Sequence, residues 1–187
     1  MSAILDLPEM RERVRRWTVA EYRKLTEDEP AFQRSVLIRG LIIEKMPKSP
    51  LHEYLTNLVC EFLRRHVLAG WFVRQEASLQ LADSVPQPDA SVVRGLPGDF
   101  RTRHPTSADL VVEVAVSSVA LDREYASLYA EASVAEYWIV LAEMQQVEVY
   151  RRPVDGVYRE QRTYVRGEVI EGVGVTTQGV PVDALFA

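Results

Sequence analysis

VPQPDASVV at residues 85–93 and ADLVVEVAV at residues 108–116, followed by DREYASLYAEA at residues 122–132, decide how this chain folds. Both apolar runs read as buried β-strands, and each carries one acid, Asp89 or Glu113, where a buried strand has no ordinary use for charge. Withdrawing even a merely polar group from water costs roughly 2–7 kcal/mol, and a carboxylate more, unless a partner offsets the loss. Two kinds of partner fit. A shared divalent cation neutralises both charges and takes oxygen ligands readily. Alternatively Asp89 opens a loop after Pro88, Glu113 lies at a strand edge, and arginines pair with them, since ion pairs also bury acids.

Working outward, Ala108 to Val116 is nearly continuous in apolar residues, as expected for a central strand covered on both faces. Leu121, Tyr125, Leu128, Tyr129 and Ala132 recur at helical spacing, which lays one helix face on the sheet. Serines 117 and 118 are expected to cap that helix. EYWIVL (136–141) and QVEVYRRP (146–153) predict two strands in a hairpin, and the tail from Tyr158 a last hairpin with a short closing segment.

On the other side, WFVRQEASLQLA (71–82) alternates well enough for a strand with Glu76 as its odd acid, and residues 95–106 form a loop. Ser49 and Pro50 supply an N-cap and a first-turn proline to a helix with Leu51, Leu55, Leu58, Val59, Phe62 and Leu63 on one face, stopped by Gly70. His52 lies in its first turn, a hydrogen-bonding residue that points toward whatever the end of the sheet presents. Residues 34–46 predict two antiparallel strands turning near Arg39 and Gly40, and Thr18 with Glu21 forms a capping box for a helix from about Val19 to Leu25. The expectation is an N-terminal arm over residues 1–16 and a single domain over 17–187. Its class is α/β (α+β), a central mixed β-sheet flanked by helices with extra β-hairpins.

Composition narrows the function. With 187 residues, 47% of them apolar, the chain can build a real core. A net charge of -5 argues mildly against a protein that coats nucleic acid, while leaving room for a local basic patch. Lysine is scarce: Lys24, Lys45 and Lys48 are the only three, so a mechanism that needs one has little choice. Cys60, alone in the apolar pattern LVCEFL, is a buried thiol rather than a nucleophile. No stretch approaches the roughly 20 apolar residues of a membrane helix, and the N-terminal residues are too charged for a signal peptide, so a cytoplasmic protein is expected.

PKSPLH (47–52), the pair Pro88 and Asp89, LVVEVAVSS (110–118) and DREYASLYAEASVAEYWIV (122–140) together resemble the Uma-type restriction endonuclease family within the PD-(D/E)XK nuclease superfamily. The resemblance runs from about Trp17 to the final apolar segment. It implies a restriction-endonuclease-like core in which Asp89 and Glu113, on neighbouring strands, bind Mg2+ or Mn2+ and a lysine positions or activates the attacking water. In this branch the lysine usually stands on the helix after the glutamate strand, four residues before the tyrosine of LYAEA. That position here is Tyr125.

Tyrosine, with a pKa of about 10, carries no positive charge at pH 7, and losing a preorganised charge stabiliser commonly costs on the order of 10²–10³ in rate. Ala115, two residues after Glu113, offers no replacement. Three readings remain open: a metal site that binds but cleaves weakly or not at all, a lysine (Lys45 or Lys48) arriving from another element, or a metal that suffices alone. Glu76 is a candidate third ligand, or an edge residue bonded to Arg74 or Arg94. The functional expectation is therefore a metal-dependent DNA endonuclease, a phosphodiester hydrolase working as a homodimer. The alternative is an inactive nuclease fold serving as a DNA-binding or dimeric interaction module.

Overall fold

The computed structural model describes Glu9 and residues 13–187. Most of the arm expected over residues 1–16 lies outside the described residues. The chain forms two compact units. One comprises the described residues up to Met46 together with Ala82–Pro86, the other Pro47–Leu81 and Gln87–Ala187.

The first unit is small. Helix α1 (Val19–Asp28) starts at the expected capping box, in which the Thr18 hydroxyl accepts from the Glu21 amide and the Glu21 carboxylate accepts from the Thr18 amide. It runs one turn further than the sequence suggested. Strands β1 (Ser35–Ile38) and β2 (Leu41–Glu44) pair antiparallel around Arg39 and Gly40, whose φ values of 49° and 76° are those of a tight hairpin turn. Gly40 is required there twice over, since a Cβ would also meet the Arg16 Cβ at 2.7 Å. Val85 bridges to Leu37, and Tyr22, Leu37 and Val85 form the unit's own small core.

The second unit is built on a six-stranded sheet in the order β3 (Trp71–Gln75), β4 (Ala90–Arg94), β5 (Leu110–Ala115), β6 (Glu136–Leu141), β7 (Gln146–Val154), β8 (Val157–Val165). Only β5 and β6 run parallel, joined through helix α3 (Val119–Glu131); the other neighbours are antiparallel. This is the expected mixed sheet. β5 and β6 are buried along their whole length, which is why they read as continuous apolar runs.

Helix α2 (Pro50–His66) begins at Ser49, whose hydroxyl accepts from the His52 amide. It packs Leu55, Val59, Cys60 and Leu63 against Leu110, Val112, Val114 and Trp138. The terminal pair β9 (Val169–Ile170) and β10 (Val180–Pro181) closes the same core with Ile170, Val180 and Leu185. Alternation along β5 then turns Val111, Glu113 and Ala115 to the opposite face, the one α3 covers. Glu113 is thus an interior residue of a central strand, not an edge residue.

Two local expectations fail. The strand predicted over 71–82 stops at Gln75, because Glu76 adopts a φ of 48°, left-handed backbone that no β-ladder accommodates. Ser118 occupies the N-cap of α3, but its hydroxyl caps no helix amide; it donates to Asp122 Oδ2 at 2.5 Å instead.

Candidate active site

Five acids are buried in the second unit: Asp89, Glu113, Asp122, Glu136 and Glu148. Two are structural ion pairs: Glu136 with Arg151 at 3.1 Å, and Glu148 with Arg123, supported by the Tyr150 hydroxyl at 2.8 Å. The other three gather where β4, β5 and α3 meet. There the arginine pairing admitted for Asp89 and Glu113 does not occur.

Asp89 stands immediately before β4. Its Oδ2 accepts from the Val114 amide at 2.7 Å and lies 3.0 Å from His52 Nε2, while Oδ1 receives the Lys48 ammonium at 2.5 Å. Burial alone raises its pKa. The hydrogen bond from His52 and the charge of Lys48 outweigh that effect, so the carboxyl stays below its ordinary range and ionised. The histidine does what its position implied: the N-cap of α2 aims it at the sheet, and Thr56 lies 3.4 Å from its Nδ1.

Glu113 has no such help. Its Oε1 accepts from the Tyr129 hydroxyl at 2.9 Å and its Oε2 from the Asp89 amide at 3.2 Å, and no cationic side chain among the described residues bonds it. Burial first, then the charges of Asp89 and Asp122, push its pKa well above the ordinary value. Asp122, whose one side-chain partner is the Ser118 hydroxyl, is pushed up to about 6, chiefly by burial and further by Asp89.

Glu76 is held beside Asp89 by two links. Its amide donates to the Asp89 carbonyl at 3.0 Å, and its Oε1 shares the Lys48 ammonium at 2.5 Å. Neither arginine considered for it takes part: Arg74 donates to the Ser78 carbonyl and Arg94 stacks over Trp71. Lys48 therefore reaches this cluster. Lys45 belongs to the first unit, where its amide donates to the Arg34 carbonyl. Tyr125 lies on α3 with its ring 6.5 Å from that of Tyr129, and its hydroxyl is pushed up to about 12 by burial and by the charge of Glu113. It is neutral at physiological pH.

Asp89, Glu113, Glu76, Lys48 and His52 are thus brought into one linked cluster, with Tyr125 at its α3 side. The sequence reading missed Asp122 and the role of Tyr129. The signal was available: 122, 125 and 129 follow i, i+3, i+7 and share one helix face, so an acid at 122 had to face the sheet. Among the described residues, no group of three or more histidine, cysteine or acidic side chains is placed so that together they could hold a metal ion.

The cluster stands at the end of a mixed sheet whose parallel pair is joined by a βαβ crossover. A "putative nuclease" of DUF820 from Anabaena variabilis ATCC 29413 has this fold: it superposes with a TM-score of 0.75 at 20% identity, covering 90% of this chain and 97% of that one. The Uma2 family model, described as "Putative restriction endonuclease", matches residues 19–182, and the chain belongs to that family. No curated protein matches it.

Proposed function

We propose that the protein is a metal-dependent endonuclease that hydrolyses phosphodiester bonds in DNA at the Asp89–Glu113 cluster. One observation carries the reading. Glu113 is a buried carboxylate flanked by two further acids, while every buried acid with a purely structural role in this sheet has its own arginine. A buried carboxyl with no cation of its own, whose charged form is disfavoured by burial and by neighbouring acids, is arranged for a cation supplied from outside.

The donor chemistry fits a hard divalent ion. Asp89 and Glu113 offer only oxygens, and Mg2+ is ordinarily held by one or two carboxylates with water in its remaining positions, so a pre-closed cage is not required. Asp89 and Glu113 would hold it, while the Glu76 carboxylate stays on the Lys48 ammonium. Bound there, the ion supplies Lewis acidity toward the phosphate and a more acidic water. The chain's own residues perform the positioning. The Val114 amide and His52 fix Asp89 Oδ2, and Tyr129 and the Asp89 amide fix both oxygens of Glu113. In the reaction a water oxygen adds to phosphorus, the P–O bond to the leaving alkoxide breaks, and a proton ends on that alkoxide.

The test is nicking of supercoiled plasmid in Mg2+ by wild type and Asp89→Asn, with calorimetric titration of Mn2+ into wild type and Glu113→Gln. Nicking that Asp89→Asn loses, and Mn2+ binding that Glu113→Gln weakens at least tenfold, are expected. Plasmid left intact by wild type would favour a second reading, DNA binding without cleavage, which the neutral Tyr125 favours. Cleavage of both strands would further require two sites, and hence a pair of protomers.

A further inference from the structure

We propose that Lys48 supplies the positive charge to the phosphate in this reaction, from the loop that caps α2 rather than from the sheet or from α3. The inference rests on the function proposed above and specifies which residue completes it.

The geometry points to Lys48 in three ways. Its ammonium contacts Asp89 Oδ1 and Glu76 Oε1, both at 2.5 Å, so it already stands at the open side of the acid cluster. Its side chain is about one-third exposed, against 7% for Asp89, so the same ammonium faces both the buried carboxylate and the solvent from which a substrate arrives. Its backbone is anchored, because Ser49, the next residue, is the N-cap of a 17-residue helix and Pro50 fixes the first turn. A flexible side chain on a fixed base can leave one oxyanion for another without moving the fold.

The alternatives offer no charge. Ala115 is a buried methyl group on β5, and Tyr125 presents a hydroxyl on α3. His52 is engaged with Asp89 Oδ2 from the buried side, with its side chain only 14% exposed. A phosphate brought to the cluster carries oxygens that compete with Asp89 and Glu76 for the Lys48 ammonium, and an ammonium stabilises added negative charge on the phosphorus best where water is excluded.

Four proteins decide the matter: wild type, Lys48→Met, Lys48→Arg, and Lys48→Met combined with Tyr125→Lys. Each is assayed for plasmid nicking in Mg2+ and for Mn2+ binding by calorimetry. Lys48→Met is expected to cut at least 100-fold more slowly while Mn2+ binding stays within threefold or tightens. Lys48→Arg should keep part of the rate, and adding a lysine at position 125 should recover at least tenfold of what Lys48→Met lost. Cutting by Lys48→Met within threefold of wild type overturns this inference and leaves the nuclease reading standing. So does parallel loss of cutting and Mn2+ binding, which would make Lys48 a mere support for Asp89. A wild type that neither cuts nor binds Mn2+ overturns both.

Discussion

Replacing Asp122 by asparagine should make the protein more stable at neutral pH, and the size of the gain follows from the site. Asp122 is 6% exposed, lies near the charge of Asp89, and is pushed up to about 6 against an ordinary 3.8. Between those two values the folded chain keeps a proton that the unfolded chain has released. Folded-state proton binding then exceeds unfolded, so stability falls as pH rises through that window. Above pH 6 the ionised carboxylate therefore costs about 3 kcal/mol, at 1.36 kcal/mol for each pH unit of displacement. Asparagine preserves the shape and an oxygen to accept from Ser118, and has no charge to bury. Urea unfolding at pH 8 should show its midpoint higher by about 1.5 M, taking an m of about 2 kcal/mol/M. The gain should shrink progressively as pH drops from 6 toward 4. Equal midpoints at pH 8, or a gain that does not change with pH, would refute the electrostatic reasoning.

Tyr129→Phe removes the hydroxyl that Glu113 Oε1 depends on, and should cost about 1–3 kcal/mol in urea unfolding, since a buried acceptor loses its donor; a loss below 0.5 kcal/mol would mean the bond is not formed. Arg123→Met removes the cation from Glu148, whose pKa the arginine and the Tyr150 hydroxyl hold down against burial. A depressed acid contributes stability above its unfolded pKa and loses it as pH falls through the folded one, so the variant should be destabilised at pH 7 and approach wild type as pH falls below the carboxyl's ordinary 4.5. Equal destabilisation at pH 7 and pH 3 would show that the arginine acts through packing alone.

The elements that sequence revealed are those whose signal is local. The Thr18–Glu21 box and the Ser49–Pro50 start of α2 act within one turn, and both helices begin there. β5 and β6 are buried on both faces and so read as uninterrupted apolar runs. What escaped was long-range. Glu76 alternates correctly with its neighbours, yet its left-handed backbone ends β3 one residue earlier, and its ties are to Asp89 and Lys48, 13 and 28 positions away. Nothing in WFVRQEASLQLA encodes those partners. That Lys48 meets Asp89 was likewise invisible, because the two stand 41 positions apart.

The same distinction explains how one sheet holds acids of two kinds. Glu136 and Glu148 sit on β6 and β7 with arginines on β7 and α3, so each charge was neutralised within the fold and its role ends with stability. Asp89, Glu113 and Asp122 converge from the residue before β4, from β5 and from α3, and the Lys48 and His52 hydrogen bonds go to Asp89 alone of the three. Folding therefore gathers acids without cations of their own at a single place, where burial first, and then the neighbouring acids, raise the pKa values of Glu113 and Asp122. A purely structural cluster would be relieved by any neutral substitution at no functional loss. Asp122→Asn and Glu113→Gln separate the two cases: both should stabilise the chain at pH 8, but only Glu113→Gln should weaken Mn2+ binding at least tenfold, because Glu113 alone of the two accepts from the Asp89 amide.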